Sequence, residues 1–151
     1  MKKGINVVYS DPVAAYIDGV MVTPNNKNKG EANLKNLGTI KGFTAWTYLD
    51  SIKAGKIKIR ENPGFVPLLK MAIANRIDGA YLNVDVANYQ LNNVMKQNGA
   101  LVFDESLPST KSNYHLSSVK HPQIIEEFNQ FLKQESALVS KLKQKFNLSD
   151  K

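Results

Sequence analysis

Three short segments of this 151-residue chain carry the side chains best suited to polar chemistry, and each follows a run with the character of a strand. The first is Gly42-Phe43-Thr44-Ala45-Trp46, the second Glu61-Asn62-Pro63-Gly64, the third Asn83-Val84-Asp85. In the first, a glycine, a hydroxyl and the start of a helix together offer backbone N–H groups and a positive dipole end to an anion such as a carboxylate. Trp46 and Tyr48 stand where one or both can wall a pocket. A plainer reading has Thr44 capping the helix and Trp46 packing on the sheet. In the third segment, Asn83 and Asp85 are placed to hydrogen-bond amino or hydroxyl groups, or Asp85 simply complements a helix dipole.

Catalytic constellations do not emerge. There is no Gly-x-Ser-x-Gly nucleophile turn, no Gly-rich phosphate loop ending in Gly-Lys-Ser/Thr and no His-Glu-x-x-His. The chain has no cysteine, which removes disulfides, thiolate catalysis and cysteine zinc sites. Its two histidines, His115 and His121, have no acid nearby at metal-ligand spacing. Asp104 and Glu105 are adjacent carboxylates after a strand, and adjacency points them apart. The expectation is a binding protein rather than an enzyme, with no metal and no cofactor.

The elements that must position these segments lie between residues 38 and 104. Gly38–Phe43 reads as a strand running into a glycine turn, and Thr44–Ala54 as a helix ended by Gly55. Ile57–Arg60 alternates as a strand should. Phe65, Leu68, Leu69, Ala72 and Ile73 form one apolar helical face. Ala80–Leu82 lies in a third strand opening near Asp78; Val84–Asn98 is a helix closed by Gly99; Ala100–Phe103 is a fourth strand. Strands alternating with helices of this length predict a largely parallel sheet, with ligands beyond the carboxyl ends of the strands.

The flanks read differently. Ile5–Tyr9 and Gly19–Thr23 are strand-like, Tyr114–Val119 can form a strand, and two amphipathic helices finish the chain. The first opens at Pro122 with Ile124, Ile125, Phe128, Phe131 and Leu132 on one face. The second, over 138–148, carries Leu138, Val139, Leu142 and Phe146. No apolar run approaches the ~18 residues of a membrane span, and no apolar stretch of ~7–15 residues follows the charged start Met1-Lys2-Lys3 to make a secretory signal. The net charge of +7 is scattered: Lys27, Lys29, Lys35, Lys41, Lys53, Lys56 and Lys58 fall in loops and on polar helix faces. Nucleic-acid binders instead concentrate basic residues, often interleaved with aromatics.

Several segments together resemble bacterial extracellular solute-binding proteins of family 3, which serve ABC importers, chiefly for polar amino acids. Tyr9-Ser10-Asp11-Pro12 followed by the strand at Gly19–Thr23 is one such segment. Gly42-Phe43-Thr44 resembles the ligand-holding turn of that family's second lobe. Arg76-Ile77-Asp78-Gly79-Ala80 resembles its Gly-Arg-Ile/Val-Asp-Ala motif, with Asn75 in place of the glycine. Residues 111–135 look like the return crossing to the first lobe. The order and spacing of these segments match over nearly the whole chain.

The resemblance implies an α/β fold of the periplasmic-binding-protein type II class, a mostly parallel sheet flanked by helices, with hinge strands and C-terminal helices. Residues 25–108 would form the second lobe. Residues 1–24 would supply the end of the first lobe and the first crossing, and 109–151 the return crossing and C-terminal helices. Most of the first lobe, with the family's carboxylate-clamping arginine, has no counterpart in this chain.

The implied function is a small polar solute, amino-acid-like, held by Gly42, Phe43, Thr44, Ala45, Trp46, Asn83 and Asp85 in a periplasmic or otherwise extracytoplasmic setting. The importer's membrane subunits are the implied partners of a complete protein. The family's amine-binding aspartate would fall at Asn83, with Asp85 two residues on. Aromatics that commonly follow Ser-Asp-Pro are replaced by Val13 and Ala14. With little of a first lobe to cover them, the apolar flanks predict a homo-oligomer, a swapped dimer or association with a separate first-lobe chain. Two alternatives stand beside the leading reading: an interaction remnant that pairs with another chain without binding solute, and an enzyme on a related two-lobe scaffold using Asp85 or Glu61.

Overall fold

A computed structural model describes residues 4–148; the charged start Met1-Lys2-Lys3 lies outside the described residues. The chain divides into two compact units, one of residues 17–111 and one of residues 4–16 with 112–148.

The first unit is built on a sheet. Its strands are β2 (Ala14–Val22), which begins in the other unit, β3 (Asn36–Ile40), β4 (Lys58–Asn62), β5 (Gly79–Asn83) and β6 (Val102–Phe103); the short β1 is Val8–Tyr9. The order is β4-β3-β5-β2-β6. β3 pairs in parallel with β4 and with β5, whereas β2 is antiparallel to both β5 and β6. Four of these five strands therefore run the same way, and β2 is inserted against them. The expected fourth strand is real but shorter than Ala100–Phe103, and it pairs with β2 rather than with its sequence predecessor. Its Phe103 ring fills the space over Gly19, where a Cβ would stand 2.4 Å from Cε2. A larger residue there would push the Phe103 ring aside.

Helices cover both faces of this sheet. On one, α2 (Phe65–Ile73) and α3 (Val84–Tyr89) bury Leu68, Leu69, Ala72, Val84 and Ala87 against Met21, Ala80 and Leu82. On the other, a 3-10 turn at Trp46–Tyr48 and α1 (Leu49–Lys53) bring Ala45, Tyr48 and Ile52 against Val20, Val22, Leu37 and Tyr81. The period-2 alternation of β2 and β5 thus sends successive residues to opposite layers.

Two predicted helices are broken. The one expected over Thr44–Ala54 starts as a 3-10 turn and holds only five α-helical residues before Gly55. The one expected over Val84–Asn98 changes after Tyr89 to a π-helical segment, Gln90–Val94, with the Met95 N–H bonded to the Gln90 carbonyl at 2.8 Å. Lys96 then turns left-handed at φ 55°, so the helix stops before Gly99. Asn92 and Asn93, poor helix formers, sit in the strained stretch.

The remaining unit contains β1, paired antiparallel with β8 (Ser117–Ser118), and two helices, α4 (Pro122–Gln134) and α5 (Ser136–Lys145). β7 (Thr110–Tyr114) pairs with β2. The single strand expected over Tyr114–Val119 is in fact interrupted at His115-Leu116, because Ser10 captures both residues. His115 Nδ1 lies 2.7 Å from the Ser10 carbonyl, and the Leu116 N–H donates to Ser10 Oγ at 2.9 Å. Strand character at Ile5–Tyr9 survives only at Val8–Tyr9.

Candidate functional site

The carboxyl ends of β3, β4 and β5 lie at one edge of the 17–111 unit, and the predicted ligand segments follow from them. β3 ends at Ile40, and a turn closed by the Phe43 N–H on the Ile40 carbonyl (2.9 Å) reverses the chain through Gly42 at φ +84°. That conformation is strained for any residue with a side chain, which accounts for the glycine.

Thr44 is exposed and does not cap a helix. The N-cap position is held by Ala45, which has no side-chain cap, and the Trp46 N–H bonds back to the Thr44 carbonyl at 2.9 Å. Among the described residues no hydrogen bond engages the Thr44 hydroxyl or the Gly42 and Thr44 amides. Because the helix beyond is so short, the anion-binding potential of this turn rests on these donors rather than on a helix dipole.

Trp46 does not pack on the sheet: it is 70% exposed. Tyr48, two residues on, is buried and donates its hydroxyl to the Pro108 carbonyl at 2.9 Å. Burial first, then the charge of Glu31, pushes the Tyr48 phenol above its usual range, so it stays a neutral donor. Its ring meets Tyr81 edge-on at 5.7 Å, and Phe43 lies 6.0 Å from the same ring. The Tyr81 hydroxyl lies 3.1 Å from Thr47 Oγ1, which is itself 3.2 Å from Thr110 Oγ1. Tyr81, Thr47 and Thr110 thus form a hydroxyl chain beneath the turn that sequence reading did not single out.

At the end of β5, Asn83 caps α3: its Oδ1 accepts from the Val86 N–H at 3.0 Å. Asp85 sits in the first turn of that helix. Across the sheet, the register pairs Asn83 with Asp18 of β2. Burial pushes the Asp18 carboxyl above its usual range.

Other motif residues have structural work. Asp78 Oδ2 accepts from the Lys35 and Asn36 N–H groups at 2.9 and 2.7 Å, fixing the start of β3. Asp104, 1% exposed, is pushed up by burial, but the Ser106 hydroxyl, the Asn28 and Ser106 N–H groups and the Lys27 charge outweigh this and hold it below its usual range. Asn62, at the end of β4, is buried and donates to the Arg60 carbonyl. Among the described residues no group of three or more His, Cys, Asp or Glu is placed to hold a metal ion, and no helix is long and apolar enough to cross a membrane.

No protein family and no curated protein matches the chain. Solved structures do. An ancestral arginine-binding protein bound to arginine matches with a TM-score of 0.68 at 19% identity, covering 93% of this chain and 64% of its own. An amino acid ABC transporter substrate-binding protein from Streptococcus pneumoniae, bound to L-arginine, matches with 0.66 at 16% identity, covering 93% and 60%. An ancestral amino-acid-binding protein, a precursor of cyclohexadienyl dehydratase, matches with 0.65 at 18%, covering 93% and 60%. The likeness is one of fold, an α/β unit with a mostly parallel sheet flanked by helices, and it meets the resemblance drawn from the motifs at that level. The chain spans less than two thirds of the length of these proteins.

Proposed function

We propose that the chain is a solute-binding component of an ABC-type importer, working outside the cytoplasm and delivering a small amino-acid-like solute to the importer's membrane subunits. The observation that carries this reading is the Gly42–Trp46 turn. It leaves the Thr44 hydroxyl and two backbone N–H groups without internal partners, at the same strand ends where Asn83 and Asp85 stand. Donors in that state await an acceptor, and a solute carboxylate is an acceptor that suits them. The solute-binding descriptions of the matched structures support the same class of ligand.

The test is a thermal-shift screen against single amino acids, small carboxylates and small amines. A solute at ~100 times its dissociation constant adds ~2.7 kcal/mol of stability. Thr44→Val should weaken affinity by about ten- to a hundredfold, the worth of one hydrogen bond to a charged group. Unchanged affinity in that variant removes Thr44 from the site, and no response to any carboxylate overturns the reading.

A second reading has one observation of its own. Within the 4–16/112–148 unit, Phe128, Phe131, Leu132, Val139, Leu142 and Phe146 line an apolar groove of about 270 Å³ between α4 and α5. An interaction module that pairs through this surface, with a second copy or a separate first-lobe chain, would show concentration-dependent mass in light scattering and no solute response.

A further inference from the structure

Alternation along β2 and β5 sorts their side chains with little ambiguity. Val20, Val22 and Tyr81 pack with Ala45 and Tyr48, whereas Met21, Ala80 and Leu82 pack with α2 and α3. A Cβ on Gly79 would strike Val20 Cγ1 at 2.4 Å, which puts Gly79 on the Val20 face as well. By the same period, Asp18 and Asn83 belong to the face that carries Tyr81, two residues nearer the ligand edge. Their Cα atoms are direct partners in the antiparallel ladder, so the two side chains are neighbours. The parallel register, Leu37 with Gly79, extends to set Lys41, the first central residue of the turn, level with Asn83. One row at the strand ends therefore reads Lys41 into the turn, then Asn83, then Asp18.

Asp18 is unusual in that row. It is half-buried, and among the described residues its carboxylate has no cation and no hydrogen-bond donor as a partner. A carboxylate withdrawn from water without a partner is costly, and the cost is relieved by an arriving positive charge.

From this juxtaposition we infer that Asp18 is the cation-recognising residue of the site proposed above, receiving a positively charged group that the solute carries several bonds away from its carboxylate. The spacing follows from the sheet. β2 lies two strand spacings from β3, about 10 Å. Each ionic contact takes up ~3 Å of that span, so the solute's charges must be separated by about 4 Å or more, farther than the two ends of an α-amino acid zwitterion. Asn83, between them, keeps its cap and presents no charge of its own.

This assignment rests on the reading of the Gly42–Trp46 turn as the carboxylate end, and three probes separate the two. Sodium acetate, butylammonium chloride and 4-aminobutanoate are titrated into the isotope-labelled chain, following the Thr44 amide and the Asp18 side-chain carboxyl by NMR. Acetate should move Thr44 alone and butylammonium Asp18 alone. 4-Aminobutanoate should move both, with a dissociation constant about tenfold below that of acetate. Asp18→Asn should erase that tenfold gain and leave the acetate response intact. If 4-aminobutanoate binds no tighter than acetate, or binds Asp18→Asn equally well, the inference falls while the turn stands. If butylammonium moves Asp18 but acetate leaves Thr44 still, the turn falls while Asp18 keeps its role.

Discussion

The 17–111 unit and the 4–16/112–148 unit use similar side chains to opposite ends. In the first, apolar residues are consumed by two layers: Leu68, Leu69, Leu82 and Leu91 on one side of the sheet, Val20, Leu37, Tyr48 and Tyr81 on the other, all nearly inaccessible to solvent. Exposed apolar groups there include Phe43 and Trp46, beside the candidate site. In the second, Ala14 and Ile125 are the only buried hydrophobics among the described residues, while Ile5, Tyr9, Ile124, Phe131, Leu142 and Phe146 remain exposed. On α4, Ile125 is buried while Ile124 and Phe131 stay exposed. The comparison teaches that one unit closes its own core, and the other leaves large apolar side chains open to solvent.

The largest effect that tests this contrast is Leu68→Ala. Emptying that fully buried position should cost about 2–5 kcal/mol, read as a lowered denaturant midpoint. A loss below 1 kcal/mol would mean the first unit is not the closed core described here.

Asp104→Ala comes next. It strips an acceptor from three donors and should cost about 1–3 kcal/mol at neutral pH. The sign with pH is fixed by direction: the folded-state pKa of Asp104 is depressed, so its contribution is present above the ordinary carboxylate range and lost as pH falls through the lower folded value. Wild type should therefore lose its advantage over the variant below about pH 4. A gap that persists undiminished to pH 2 would place the Asp104 effect elsewhere.

The smallest effect is the sharpest for the second unit. Phe146→Lys should change unfolding stability by less than about 0.5 kcal/mol, because the ring is already exposed. Any self-association measured by light scattering should nevertheless weaken. A substantial destabilisation would show Phe146 to be core rather than display.

Much of the fold was legible because its signals are local. The spacing of Leu68, Leu69 and Ala72 marks α2 at once, and Gly42 and Gly55 mark turns that the structure keeps. What escaped was non-local. Nothing in Ala100–Phe103 says that it pairs with β2 rather than β5. Ala14 and Ala15 carry little strand propensity, so β2 read as starting at Gly19 and Asp18 fell into a linker. That placement hid the Asp18–Asn83 pairing, which exists only once the register is known. For the site, residue types at Gly42–Trp46 and Asn83 were visible as strand-end chemistry. The hydroxyl chain through Thr47, Tyr81 and Thr110 joins residues far apart in sequence, and the exposure of Trp46 follows from a helix that opens as a 3-10 turn.

The central claim is that solute binds at the strand ends of the 17–111 unit. A nitrogen-15 amide titration with 4-aminobutanoate, L-lysine and L-arginine, whose cationic groups lie several bonds from a carboxylate, tests it most directly. The account predicts shifts confined to Gly42–Trp46, Asn83–Asp85 and the strand around Asp18. A folded chain whose shifts fall instead on α4 and α5, or that shows none at millimolar solute, would contradict it.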